Sequence, residues 1–189
     1  MPAMAYLTRP VALIGYMCCG KTTLAEALWQ RYGVAYIDID SAVEREAAQT
    51  VTELFASEGE AAFRERESRA LQRAVSGSPV VISCGGGLVC RAANVETLRR
   101  GGALTVWLQA SRERIVERLM LYGAGRPLVA GHDRQWIERY VAEHEPQRSR
   151  YYAAAADVVF DTTELDTPLE IDRTAELFMT QILQPLLIR

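Results

Sequence analysis

The join at residues 11–23, VALIGYMCCGKTT, constrains this chain more than any other feature. Four apolar residues run straight into Gly15-x-x-x-x-Gly20-Lys21-Thr22. An amphipathic stretch follows, with Leu24, Ala25, Leu28 and Trp29 on one face. A buried strand, a glycine-bounded loop and a helix in that order form a phosphate-binding loop. The spacing has a chemical reason. Successive backbone N–H groups of such a loop wrap a β-phosphate, and the helix N-terminus adds its positive dipole end. Lys21 is set to bridge the β- and γ-phosphates, and the Thr22 hydroxyl to ligate Mg²⁺. Lys21 is also the only lysine; the rest of the 21 Lys and Arg residues are arginine.

Around this unit, short apolar runs alternate with amphipathic stretches, the pattern of parallel βα units. Strands are expected at 11–14, 35–40, 79–83, 104–108 and 157–162. Helices are expected from Thr22 to Tyr32, from about Glu60 to Val75, from Ser111 as cap to about Leu121, from Asp133 to Tyr152 and from Pro168 to Leu187. Ser41, with Glu44 three residues on, reads as a capping box for a further helix. Pro146 marks a break or kink in its helix. GAGRPLVAG at 123–131 reads as a mobile loop. The whole is one α/β domain spanning 1–189, with no repeat or linker. A length of 189 residues with 49% hydrophobic residues is ample for one core.

A net charge of −3 gives no bulk reason to expect nucleic acid or an anionic membrane as partner. The N-terminus lacks the pattern of a secretory signal, and no apolar run reaches the roughly 18 residues of a membrane span. Cys18, Cys19, Cys84 and Cys90 show no CxxC spacing, and His132 and His144 lie far apart. The expectation is a cytoplasmic protein with free thiols.

Two kinds of phosphate-loop protein must then be separated. A GTPase switch needs a guanine-reading Asn-Lys-x-Asp, which a chain with Lys21 alone cannot contain. A small-molecule kinase needs an acceptor pocket and a lid that excludes water. The acceptor side supplies candidates. Asp38 and Asp40, read as leaving the end of the second strand on the same side, suit Mg²⁺-bound water and an acceptor hydroxyl. One of them capping the next helix is the plainer reading. Phe63-Arg64 lies in a charged helix, and Gly85-Gly86-Gly87 follows a buried strand, where glycines let backbone approach a ligand closely.

GYMCCGKTT, YIDID, FRERE, ISCGGG and GRPL, in this order and spacing, resemble the shikimate kinases from about Val11 to Thr162. The resemblance implies a three-layer α/β/α fold with a central five-stranded parallel sheet. It implies a substrate-binding region at about 41–75 and a mobile lid at about 122–134. It implies transfer of the γ-phosphate of ATP to the 3-hydroxyl of shikimate, in the pathway to chorismate and the aromatic amino acids. By similarity, Lys21, Asp40 and Arg126 are catalytic. Gly15, Cys18, Cys19, Gly20, Lys21, Thr22, Thr23, Arg118 and Arg126 bind ATP, and Thr22 and Asp38 organise Mg²⁺. Asp40, Arg64, Gly85, Gly86, Gly87, Arg148, Phe55 and Phe63 bind shikimate, with Glu67 holding Arg64. Arg148 and Tyr152 take the Arg and Tyr positions of an R-x-P-x-Y segment in which Arg150 replaces the proline; alignment on Pro146 would put His144 there instead.

Cys18 stands where the family usually has glycine, so a positive φ there would carry strain. Cys84 replaces the commoner threonine and Ser83 stays near the Mg²⁺. The family default is a monomer. The competing readings are a related kinase acting on another acid or polyol, such as gluconate, and a catalytically silent binding homologue.

Overall fold

The computed structural model describes residues 3–123, 126 and 128–188. Five strands, β1 (Val11–Ile14), β2 (Tyr36–Asp38), β3 (Val81–Ser83), β4 (Leu104–Gln109) and β5 (Val158–Asp161), form one sheet in the order β2-β3-β1-β4-β5. All pairings are parallel, with Leu13 opposite Ser83 and Ile14 opposite Trp107. β1 is buried along its whole length because it is the central strand with helices on both faces.

Alternation along the strands divides the core. Val11, Leu13, Val81, Val106 and Leu108 face α1 (Lys21–Tyr32) and α8 (Pro168–Phe178), through Leu24, Leu28, Ala175 and Phe178. Ala12, Ile14 and Ile82 face the other layer. That layer holds α2 (Ile39–Ala47), α4 (Gly59–Ser76), α5 (Ala92–Arg100), α6 (Arg112–Tyr122) and α7 (Arg134–Ala155). Val43, Leu71, Leu98, Leu119 and Val141 are its buried contributions. A short α3 (Val51–Ser57) connects α2 and α4. The expected three-layer α/β/α architecture is therefore present. No described helix is long and apolar enough to cross a membrane.

Five local expectations need correction. The second strand stops at Asp38, whose side chain accepts the Ser41 N–H at 3.0 Å and caps α2; Ser41 is not the cap. Glu44 closes no capping box and accepts the Val51 N–H at 2.9 Å instead. Asp38 and Asp40 are consequently a helix cap and a first-turn residue, not two alternating strand positions. α7 runs unbroken through Pro146, held by buried Ile137, Val141 and Tyr152 on both sides of it. The last helix ends at Phe178 and continues as a π turn, Met179–Leu183, and a 3-10 turn, Gln184–Leu186, before the extended residue Leu187. The structure also adds α5, which opens without a Ser, Thr or Asp cap and so gives little sequence signal. The loop reading at 123–131 covers Ala124, Gly125 and Pro127, which lie outside the described residues.

Candidate active site

The phosphate loop owes its shape to two glycines in the left-handed half of backbone space. Gly15 has φ 144°, and a Cβ there would fall 2.4 Å from the Leu108 carbonyl oxygen. Gly20, with φ 97°, ends the loop and precedes α1 without any side-chain cap. By contrast, α2, α3, α6, α7 and α8 are capped by Asp38, Thr50, Ser111, Asp133 and Thr167. An uncapped helix start with no acidic residue in its first turn leaves free N–H groups for an anion. Lys21 is buried and folds back over the loop, donating to Gly15 O at 2.9 Å, Tyr16 O at 2.8 Å and Cys19 Sγ at 3.6 Å. Cys18 does adopt φ 59°, so this non-glycine residue carries the strain anticipated for it.

Two cavities meet at this loop. The first, of about 240 Å³, is lined by Cys18, Gly20, Lys21, Thr22, Thr23, Asp38, Ser83, Arg118, Leu165 and Asp166, among others. The second, of about 340 Å³, is lined by Glu44, Phe55, Phe63, Arg64, Glu67, Gly85, Gly87, Leu128 and Arg148. Met17, Asp40, Gly86, Tyr122 and Arg126 belong to both walls. Every residue expected on the acceptor side thus borders the second cavity. Those expected at the nucleotide border the first, except Gly15 and the buried Cys19.

In the first cavity the Thr22 hydroxyl donates to Asp38 Oδ2 at 2.8 Å and lies 3.3 Å from Ser83 Oγ. Three oxygen groups from α1, β2 and β3 converge there. Arg118 is almost fully buried and heavily engaged. It pairs with Asp166 at 2.6 Å and donates to Thr162 O at 3.0 Å and Thr163 O at 2.8 Å. A longer bond of 3.4 Å reaches Cys18 O, tying the phosphate loop to the segment after β5. Tyr122, Leu165 and Asp166 were not named as site residues by the sequence reading, because none of them carries a motif, and Met17 occupies a position that the phosphate-loop pattern leaves open.

In the second cavity, the rings of Phe55 and Phe63 pack at 5.0 Å, and the Arg64 guanidinium lies 5.4 Å from the Phe63 centroid. Arg64 donates to Glu67 Oε2 at 2.6 Å and to Glu60 Oε1 at 3.0 Å. Arg148 Nη1 and the Tyr152 hydroxyl both donate to Gly86 O, at 3.1 and 2.6 Å. His144 instead turns to the Tyr140 carbonyl and stacks on its ring at 4.1 Å.

The glycine triplet has a reason at each position. A Cβ on Gly85 would lie 2.2 Å from Glu67 Oε1, and one on Gly87 within 2.9 Å of the Arg64 guanidinium. At Gly86 it would approach Met17 N to 3.4 Å. The glycines make room for the site's own charged side chains and for the phosphate loop. Burial drives the Asp40 carboxyl upward, Asp38 adds to that, and Lys21, Arg126 and Arg64 oppose it. Burial pushes Glu67 up to about 7, against the pull of Arg64.

The family model described as shikimate kinase matches residues 17–186. The chain belongs to the shikimate kinase family. A shikimate kinase of Symbiobacterium thermophilum is 40% identical over 149 residues, covering 78% of this chain and 83% of that one. The crystal structure of the Bacteroides thetaiotaomicron shikimate kinase superposes with a TM-score of 0.83 at 31% identity, covering 91% of this chain and 97% of that one. The Acinetobacter baumannii shikimate kinase, solved in complex with shikimate, gives a TM-score of 0.75 at 27% identity, covering 92% and 93%.

Proposed function

We propose that this chain transfers the γ-phosphate of ATP to the 3-hydroxyl of shikimate, giving shikimate 3-phosphate and ADP. The observation that carries this reading is the meeting of the two cavities over Asp40, Gly86 and Arg126. One side ends on an uncapped phosphate loop, and the other on two arginines flanked by aromatic rings. A small acid with hydroxyl groups fits the second side: Arg64 and Arg148 suit its carboxylate and Asp40 its hydroxyls. Phosphoryl transfer asks mainly for positioning and charge neutralisation. Lys21 neutralises the phosphates, and Arg126 meets the charge that develops on the transferring group. Asp40 orients the acceptor hydroxyl and is the base candidate. Residues 41–75 form the acceptor region and about 122–134 the lid, in a single domain that works as a monomer.

Mg²⁺ wants hard oxygen ligands and keeps much of its water, so it needs no all-protein cage. Thr22, Asp38 and Ser83 present such oxygens beside the phosphate loop. The donor set fits: Thr22 would ligate the ion and Asp38 would hold its water. When bound, the ion neutralises phosphate charge. No cluster of three or more His, Cys, Asp or Glu side chains suited to a softer metal occurs among the described residues.

ADP release measured with shikimate, with gluconate and with no acceptor tests this reading. The expected outcome is release dependent on shikimate. Equal release without acceptor, or release with gluconate alone, overturns it.

A further inference from the structure

Thr162, the residue after β5, carries a fully buried polar side chain. Its hydroxyl donates to the Cys19 carbonyl of the phosphate loop at 2.7 Å, across 143 residues of sequence. The Gln109 carbonyl lies 3.3 Å from the same hydroxyl, but it already accepts the Thr162 N–H at 2.8 Å. A hydroxyl has one hydrogen to give, so its partner is Cys19. This bond is one of three by which the segment after β5 backs the loop at successive residues. Arg118, held by Asp166 and by the carbonyls of Thr162 and Thr163, reaches Cys18 O at 3.4 Å. Thr162 takes Cys19 O. Leu165 packs against Gly20, where a Cβ would fall 2.1 Å from Leu165 Cδ2.

The loop's own conformation gives this backing a purpose. φ is 59° at Cys18 and 97° at Gly20, and is not positive at Cys19 between them. Such alternation turns successive N–H groups towards one side, where an anion can sit, and the carbonyls towards the other. A trans peptide points its C=O and its N–H in opposite directions. Holding Cys19 O from behind therefore aims the Gly20 N–H, at the uncapped start of α1, into the concave side. We propose that Thr162 is a positioning residue for phosphoryl transfer: its hydroxyl fixes the Cys19–Gly20 peptide so that the Gly20 N–H meets the β-phosphate of the nucleotide. The proposal rests on the reading of this loop as the ATP site. Thr162 touches no substrate itself, since it is fully buried, and acts only through the loop.

Thr162→Val keeps the size and branching of the side chain and removes the hydroxyl. With nothing donating to it from Thr162, the Cys19 carbonyl turns towards water and draws the Gly20 N–H off the phosphate. Calorimetric titration should show the Kd for ADP raised about tenfold, the consequence of leaving one buried acceptor unpaired. The KM for ATP should rise with it, while the KM for shikimate stays within about twofold of wild type. Thr162→Ser keeps the hydroxyl and loses a buried methyl. It should lower the melting temperature yet bring the Kd for ADP back to within about threefold of wild type. A lower melting temperature in Thr162→Val with unchanged ADP affinity would mean that Thr162 only packs, and overturns the proposal. An equal loss of affinity in Thr162→Ser and Thr162→Val overturns it too. If Thr162→Val does not fold, Thr162→Ser against Thr162→Ala decides, since both lose the methyl and only the second loses the hydroxyl; equal ADP affinity in that pair overturns the proposal. A wild type that binds no ADP ends the ATP reading and this proposal together. A wild type that binds ADP no better than Thr162→Val removes this proposal alone.

Discussion

The two halves of the site are built in opposite ways. The nucleotide half is mostly backbone from one continuous stretch, Gly15 to Thr23, with its lysine folded onto its own carbonyls. The acceptor half is mostly side chains, from Asp40, Phe55, Arg64, Gly86 and Arg148, brought from α2, α3, α4, the turn after β3, and α7. A backbone cradle depends on φ angles and tolerates varied side chains, which is how Cys18 and Cys19 can sit in it. A side-chain cradle depends on buried charges holding one another, so single substitutions there should change affinity for one substrate. The contrast predicts which parameter each variant moves.

The largest effect belongs to Lys21, whose charge has no second source in the loop. Lys21→Ala should lower kcat by about 100- to 1000-fold, the usual cost of losing one electrostatic stabiliser of a transition state. Steady-state ADP release checks it. A loss below tenfold would mean that backbone groups and Arg126 carry the phosphate alone. Arg64→Ala comes next. It should raise the KM for shikimate by about 10- to 100-fold, as expected for losing a charge-assisted hydrogen bond. The KM for ATP should stay near wild type. An equal rise in both would break the division between the halves.

That division also explains what the sequence disclosed. The phosphate loop was legible as a strand, a loop and a helix because its chemistry is local and its spacing fixed. So were the parallel sheet and the helix cap at Ser111. In the acceptor half, Asp40 and the Gly85-Gly86-Gly87 run were legible from the residues, but the roles of Arg64, Arg148 and the aromatic walls came only through family resemblance, since no local rule links Asp40 to Arg148. Asp38 and Asp40 were misread as strand neighbours because the Asp38 side chain ends β2 by capping α2, two residues early. The Asp166 partner of Arg118 lies 48 residues away in sequence, and nothing in its surroundings marks it.

Glu67 gives a pH test of the acceptor half that does not depend on turnover. Its folded-state pKa is raised from the ordinary value to about 7, chiefly by burial. The folded protein therefore binds more protons than the unfolded chain between the two values, and stability falls as pH rises through that window. Below the unfolded pKa no cost exists, and above the folded one it is complete. Denaturant melts from pH 4.5 to 8 should show wild type losing stability relative to Glu67→Gln across the window. Parallel curves would show that Glu67 is ionised throughout. A milder probe is Gly87→Ala, whose Cβ would crowd the Arg64 guanidinium. A rise of about threefold to tenfold in the KM for shikimate, with ATP unaffected, is expected when that guanidinium is displaced.

Cys18→Gly should do least. At φ 59° a Cβ costs about 1 kcal/mol, which glycine removes. Glycine also gives the unfolded chain about 0.5–1 kcal/mol of extra freedom, which offsets most of that gain. The melting temperature should therefore move by about 2 °C or less in calorimetry. The backbone carbonyl of residue 18 keeps its bond from Arg118 whatever the side chain, so the loop's attachment to the segment after β5 survives. The KM for ATP should accordingly change by about threefold at most. A tenfold tightening would mean that the strain at Cys18 distorts the N–H cradle, and that the nucleotide half is as sensitive to side chains as its partner.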